Sequence, residues 1–201
     1  SVKVLTGEKA ATAVRAELFA FLDAQHAARA AGQPWEAAAA PCHSLKVARA
    51  LAEEAAQRYG ADAVRIYSSE TDDGQKRRDF GDAGAAWDPA DGSGPLLVVY
   101  TSTVSVGVSC PSARFSRCFA FFSAGNCAAT QSAQMLFRCR KLRAVLISYD
   151  GKPRYDLPQQ PAELFRWAVD AQNLAALPDA FRNDRNPFIT TPTASDPDAL
   201  G

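Results

Sequence analysis

Residues 96–110, LLVVYTSTVSVGVSC, are followed by residues 115–122, FSRCFAFF, and then by residues 134–143, QMLFRCRKLR. Residues 96–100 form a continuous apolar run bounded by Pro95 and Thr101, the pattern of a strand buried on both faces. Residues 118–122 form a second such run, and residues 144–149 a third that ends at Asp150 and Gly151. Between residues 128 and 139 the spacing turns helical. Buried strands alternating with helices, without hairpin dipeptides between most of them, imply crossover connections and parallel pairing. The predicted fold class is α/β, a three-layer α/β/α sandwich around a mainly parallel sheet.

Upstream, residues 8–30 carry Val14, Leu18, Phe21 and Leu22 at helical spacing, broken by Gly32 and Pro34. The Ala-rich residues 35–42 suit helix or strand by composition. Pro41, and Ser44 as a helix N-cap, favour a strand that ends where a helix begins. Val47, Ala48, Leu51, Ala55 and Ala56 line one face of that helix, and Gly60 stops it. Residues 64–67 read as a short strand, residues 75–80 as a small helix with Lys76, Arg77 and Arg78, and residues 81–94 as an exposed loop. Residues 161–177 suit one more amphipathic helix, with Pro161 in its first turn and Phe165, Trp167 and Val169 among its apolar positions. The predicted organisation is an N-terminal helical segment at 1–34, an α/β lobe at 35–150, a helical extension at 151–182 and a disordered tail at 183–201.

The 22 acidic and 22 basic residues give a formal net charge of zero. Attraction to nucleic acid must then be local, not global. No run of about 18 uncharged apolar residues occurs and no signal-peptide order is present, so no membrane partner is expected. A start at Ser1 and the closing TTPTASDPDALG read as a piece cut from a longer polypeptide. Cys42, Cys110, Cys118, Cys127 and Cys139 show no zinc-type spacing with each other or with His26 and His43, so no metal site is expected. Three of the five lie in apolar surroundings, which favours free thiols in a reducing, intracellular compartment, the nucleus or a viral replication site among them.

Function in parallel-sheet folds gathers at the carboxyl ends of strands, where residues 101–109 lie. Thr101, Ser102, Thr103, Ser105 and Ser109 place five hydroxyls around Gly107, a set of donors suited to phosphate oxygens. Small residues filling a tight turn would look the same. Further on, Gln134 and Arg138 share a helical face while Arg140 projects elsewhere. Their guanidinium groups stay charged and are shaped to meet a transferred phosphoryl group. A solvated basic helix end accounts for Arg140, Lys141 and Arg143 equally well, but not for the hydroxyl-bearing loop some 30 residues earlier. The two signals carry weight as a pair.

That pair resembles motifs V and VI of superfamily-two helicases. The run YTSTVSVGVSC…FSRCFAFFSAGN…QSAQMLFRCRKLR is similar to the second, C-terminal RecA-like lobe, and most of all to that of herpesvirus-type replication-origin-binding helicases. Upstream, PCHSLKVARALAEEAAQRYG resembles motif IV, and IYSSETDDGQKRRDF the strand and loop after it. The resemblance covers residues 35–150. It implies a lobe of the P-loop NTPase helicase class that couples ATP hydrolysis to movement along DNA, single-stranded or origin duplex. It assigns Thr101, Ser102, Thr103, Ser44 and Lys46 to the nucleic-acid strand, and Gly107, Ser109 and Gln134 to the nucleotide. Arg138 and Arg140 become the arginine fingers, with the choice between them open. The implied cofactor is ATP with Mg2+, bound mainly by an N-terminal RecA-like lobe, the implied partner in the full-length chain.

Phe137 replaces the glycine that often precedes the first motif VI arginine, and Lys141 stands where many families have the second. No Gly-x-x-x-x-Gly-Lys-Ser/Thr loop and no Asp-Glu box occur in these 201 residues. The isolated chain is therefore expected to hydrolyse no ATP. A non-catalytic nucleic-acid-binding module, using the basic stripe at residues 76–78, and a scaffold derived from a helicase lobe remain alternatives. A hydrolase built on adjacent His43 and Ser44 is disfavoured, because chain neighbours point apart and no nucleophile elbow exists. Trp35, Trp87 and Trp167 read as packing residues, with Trp87, in the acidic loop, the one placed to stack on a base.

Overall fold

The structure, a computed structural model, describes residues 1–104, 108–124 and 129–151. Gly107, the helix expected at 161–177 and the tail at 183–201 lie outside the described residues. In chain order the elements are β1 (Val2–Thr6), α1 (Ala10–Ala30), β2 (Ala37–Pro41), α2 (Leu45–Tyr59), β3 (Val64–Tyr67), α3 (Asp73–Gly81), α4 (Ala83–Trp87), β4 (Leu97–Tyr100), β5 (Phe115–Ser123), α5 (Ala129–Leu136) and β6 (Ala144–Asp150). The six strands form one sheet in the order β1-β6-β5-β2-β4-β3, and every pairing is parallel. Helices cover both faces, so the chain is the three-layer α/β/α sandwich that the alternating pattern predicts.

The pleat sorts the core into two clusters. Ala38, Ala40, Leu97, Val99, Phe119 and Phe121 face the layer of α1 and α2, where Leu18, Phe19, Phe21 and Leu22 fill the space. Ala37, Ala39, Val98, Tyr100, Ala120 and Phe122 point the other way, toward α4 and α5. All five residues of β2 are buried. Methyl side chains on this central strand leave room on both faces for the aromatic groups of the flanking layers, which keeps the interior close-packed. Burial on two faces therefore decides that the Ala-rich segment is a strand, against its helical propensity. Ser44 caps α2, its Oγ accepting from the Val47 N–H at 3.4 Å, and Gly60 takes a positive φ of 93° where the chain leaves that helix.

Three local readings change. The helix expected between residues 128 and 139 ends at Leu136, so Arg138 lies beyond it and does not share a helical face with Gln134. The first residues contain a strand as well as a helix: β1 pairs with β6 along Val2–Val145, Val4–Ile147 and Thr6–Tyr149. Its partner lies at the far end of the described chain, so nothing local announces the pairing. Residues 81–94 are not wholly an exposed loop. Asp82 accepts from the Ala85 N–H at 3.0 Å and starts α4, whose Trp87 is completely buried. Ala83 and Trp87 have the i, i+4 spacing of one helix face, a signal masked by the Gly and Asp residues around them.

Strand order reverses beside β2. After β2 the chain runs outward to β3 and returns through β4, then crosses to the other side for β5 and β6. The carboxyl ends of β4, β2 and β5 consequently flank a topological switch point, the usual ligand crevice of such sheets.

Candidate nucleotide and nucleic-acid surface

Three loops meet at this switch point. The Cys42 N–H donates to the Tyr100 carbonyl at 2.8 Å, and the His43 N–H to the Phe121 carbonyl at 3.0 Å, so the β2 end is laced to both neighbours. Thr101 follows β4, is buried, and donates its N–H to the Tyr67 carbonyl at 3.0 Å. A turn follows, closed by the Val104 N–H on the Thr101 carbonyl at 3.1 Å, and the Thr101 and Thr103 hydroxyls lie 3.1 Å apart. Ser102 is exposed at the tip. Lys46 is exposed in the first turn of α2, whereas the Ser44 hydroxyl is engaged as the cap. Ser44, Lys46 and the residue 101–103 turn thus occupy adjacent strand ends, held by the pairing of Pro41 with Tyr100.

The arginines lie elsewhere, flanking Cys139 of the second core cluster. Segments 108–110 and 138–140 run in parallel as both connections cross the second face toward the starts of β5 and β6. Their single bridge joins Cys110 to Cys139. The Cys110 N–H donates to the Arg138 carbonyl at 2.8 Å, and the Arg140 N–H to the Cys110 carbonyl at 3.0 Å. Side chains reinforce the link. Arg138 Nη1 donates to the Val108 carbonyl at 3.3 Å, and Arg140 Nε to Ser109 Oγ at 2.9 Å. The connection after β4 and the arginine-bearing segment are in direct contact through Val108, Ser109 and Cys110.

The two guanidinium groups differ in environment. Arg138 is only 7% exposed, and its Nε has no hydrogen-bond partner among the described residues. Burial lowers its pKa, an effect partly offset by the nearby Tyr100 phenol and added to by Arg140. Leaving a buried donor unpaired is costly, so this guanidinium suits a fixed acceptor or an incoming anion. Tyr100 in turn donates its hydroxyl to the Met135 carbonyl at 2.8 Å and fixes the end of α5 over β4. Arg140 and Gln134 are both exposed. These residues fit an anionic oxygen such as one of a polyphosphate. They do not supply a magnesium site: among the described residues no group of three His, Cys, Asp or Glu side chains could hold a metal ion.

His43, set aside with Ser44 in the sequence, turns out to knit the crevice. Its ring stacks on Phe122 with centroids 4.2 Å apart, Nε2 lies 3.0 Å from Ser132 Oγ, and Nδ1 lies 3.0 Å from the Ser123 carbonyl oxygen and 3.1 Å from its nitrogen. Burial lowers the His43 pKa, more than the Ser123 backbone bond raises it. A folded-state value below the unfolded one means that protonation favours unfolding. Stability is complete above the model-peptide value of 6.5 and falls as the pH drops through it toward the folded-state value. Urea midpoints measured from neutrality down to about pH 5 are expected to fall less in His43→Gln than in the native chain. Parallel profiles would remove His43 as the source.

The basic stripe is less cationic than its sequence. Lys76 pairs with Asp73 at 3.0 Å, and Arg49 pairs with Glu70. Arg49, Arg65 and Arg78 line a groove beside β3 together with Glu70, Asp72 and Asp79, so three positive charges face three negative ones. Trp87 is unavailable for base stacking. No helix among the described residues is long and apolar enough to cross a membrane.

Comparison with known proteins adds one likeness. Part of the chain is similar to part of a viral protein. In the Warthog/Namibia and Tick/South Africa isolates of African swine fever virus, proteins named "Putative helicase/primase complex protein" are each 29% identical to it over 117 residues. The match takes in 57% of this chain and 11% of either relative, so the chain corresponds to a small part of those proteins' length. No protein-family model matches the chain.

Proposed function

We propose that this chain is the second motor lobe of an ATP-dependent DNA helicase of the replication-origin-binding type, inactive without a first lobe. The contact between segments 108–110 and 138–140 carries the reading, because it couples a hydroxyl-rich connection to two arginines in an α/β/α lobe. The names of the viral relatives support a helicase-associated role in replication. Within this reading Arg140, exposed and aimed by Ser109, meets the phosphate oxygens, and buried Arg138 positions the connection that carries Ser109. Gln134 and Gly107 complete the nucleotide-facing set. Thr101, Ser102, Thr103, Ser44 and Lys46 lie along the strand of nucleic acid, where backbone phosphates are the contacted groups. ATP with Mg2+ is held chiefly by the first lobe, which supplies the phosphate cradle absent from these residues.

Binding of single-stranded oligonucleotide tests the nucleic-acid half. The observed constant is expected to fall linearly with salt on logarithmic axes, by about 0.7 per phosphate neutralised, and Lys46→Ala lowers the slope by about one contact. A flat salt profile, or a Lys46→Ala slope equal to the native one, would count against that surface. Turnover of ATP by the chain alone, lost in Arg140→Ala, would refute the dependence on a first lobe.

A further inference from the structure

The bridge that joins the two connections sets two cysteines face to face. Backbone bonds of 2.8 and 3.0 Å on either side of Cys110 fix the register. Paired strands sit about 4.8 Å apart, within the roughly 4.4–6.8 Å between Cα atoms that a disulfide spans. Both thiols are buried in the same core cluster of the second face. The other described cysteines lack such a partner in register: Cys42 lies opposite Phe121, and Cys118 opposite Ala39 and Val145. We propose that Cys110 and Cys139 form a reversible disulfide that locks the hydroxyl-bearing connection onto the arginine-bearing segment.

The thiolate is the attacking form of either cysteine, and the two steps are the same from both sides. With hydrogen peroxide as oxidant, the Cys110 thiolate bonds to one peroxide oxygen, the O–O bond breaks, and hydroxide leaves and takes up a proton. The resulting sulfenic acid is attacked by the Cys139 sulfur, its S–O bond breaks, and water departs with the Cys139 proton. Two thiols are oxidised and one peroxide is reduced to two waters. Both side chains are almost fully buried, so a small oxidant is required, and thiol reductants reverse the lock after local opening.

The lock concerns sulfur chemistry alone and does not depend on the nucleotide reading. The test is to treat the native full chain with hydrogen peroxide, block remaining thiols, and map peptides without reductant. The expected product is a peptide pair joined through Cys110 and Cys139, about 2 Da lighter than the two free peptides and separated by dithiothreitol. In Cys139→Ser the expected product is Cys110 sulfenic acid, trapped by dimedone. Recovery of both cysteines as free thiols after treatment, or a bridge from either one to Cys42, Cys118 or Cys127, would overturn the proposal.

Discussion

Trp87→Ala is expected to destabilise the chain by about 3–5 kcal/mol, a large part of the 5–15 kcal/mol that usually separates folded from unfolded domains. The indole is fully buried, stacks near Tyr67 and Tyr100 at centroid distances of 5.8 and 6.1 Å, and meets Phe115 at 5.9 Å. Truncation leaves a cavity among three rings carried by three different strands, and a rigid sheet cannot collapse to fill it. A polar loss adds to the apolar one. Trp87 Nε1 donates to the Tyr67 hydroxyl at 3.1 Å, and that hydroxyl donates to Asp79 at 2.8 Å, so Tyr67 of β3 ties both α4 and α3 to the sheet. Trp87→Phe keeps most of the apolar contact but loses the donor, so its expected effect is smaller, about 1–2 kcal/mol. Urea unfolding followed by far-ultraviolet circular dichroism measures both. A loss below about 1 kcal/mol for Trp87→Ala would mean that α4 contributes little to the packed face.

Arg140→Ala, in a polypeptide that also carries the first lobe, is expected to lower DNA-stimulated ATP turnover by roughly a thousandfold, the effect of removing an arginine finger. Little change in stability should accompany it. Arg140 is exposed, and its side-chain bond among the described residues runs to Ser109 Oγ, so a surface substitution here stays within about 0.5 kcal/mol. Arg138→Ala should behave differently. Its guanidinium is buried against the Val108 carbonyl, and truncation opens the packed contact between the two connections. Lost stability and lost turnover are expected together in that variant. Paired measurements of unfolding midpoint and turnover separate the roles. Full turnover in Arg140→Ala, with loss confined to Arg138→Ala, would move the phosphate contact from the exposed arginine to the buried one.

Much of the site's composition was legible in the chain, but little of its geometry. The hydroxyl run at 101–103 and the arginines at 138 and 140 stand out because they interrupt apolar strand and helix patterns. Their division into a buried and an exposed guanidinium does not, since Arg138 and Arg140 lie only two residues apart, just beyond the same short helix. The packing role of His43 is hidden in the sequence for a related reason. Its neighbour in sequence, Ser44, faces away as a helix cap, while its hydrogen-bond partners Ser123 and Ser132 come from the next strand and helix.

The order of strands and helices follows from the sequence by itself, because period-2 and period-3.6 patterns report how many faces of each segment are buried. Runs such as residues 96–100 also dictate parallel pairing, since only a strand covered on both sides tolerates apolar residues at every position. Which segments meet is another matter. That β1 lies beside β6, that Trp87 closes the second face, and that Cys110 sits opposite Cys139 were all decided by tertiary structure. Each contact joins stretches far apart along the chain, and its free energy depends on the shape of the remaining core, which no local pattern encodes.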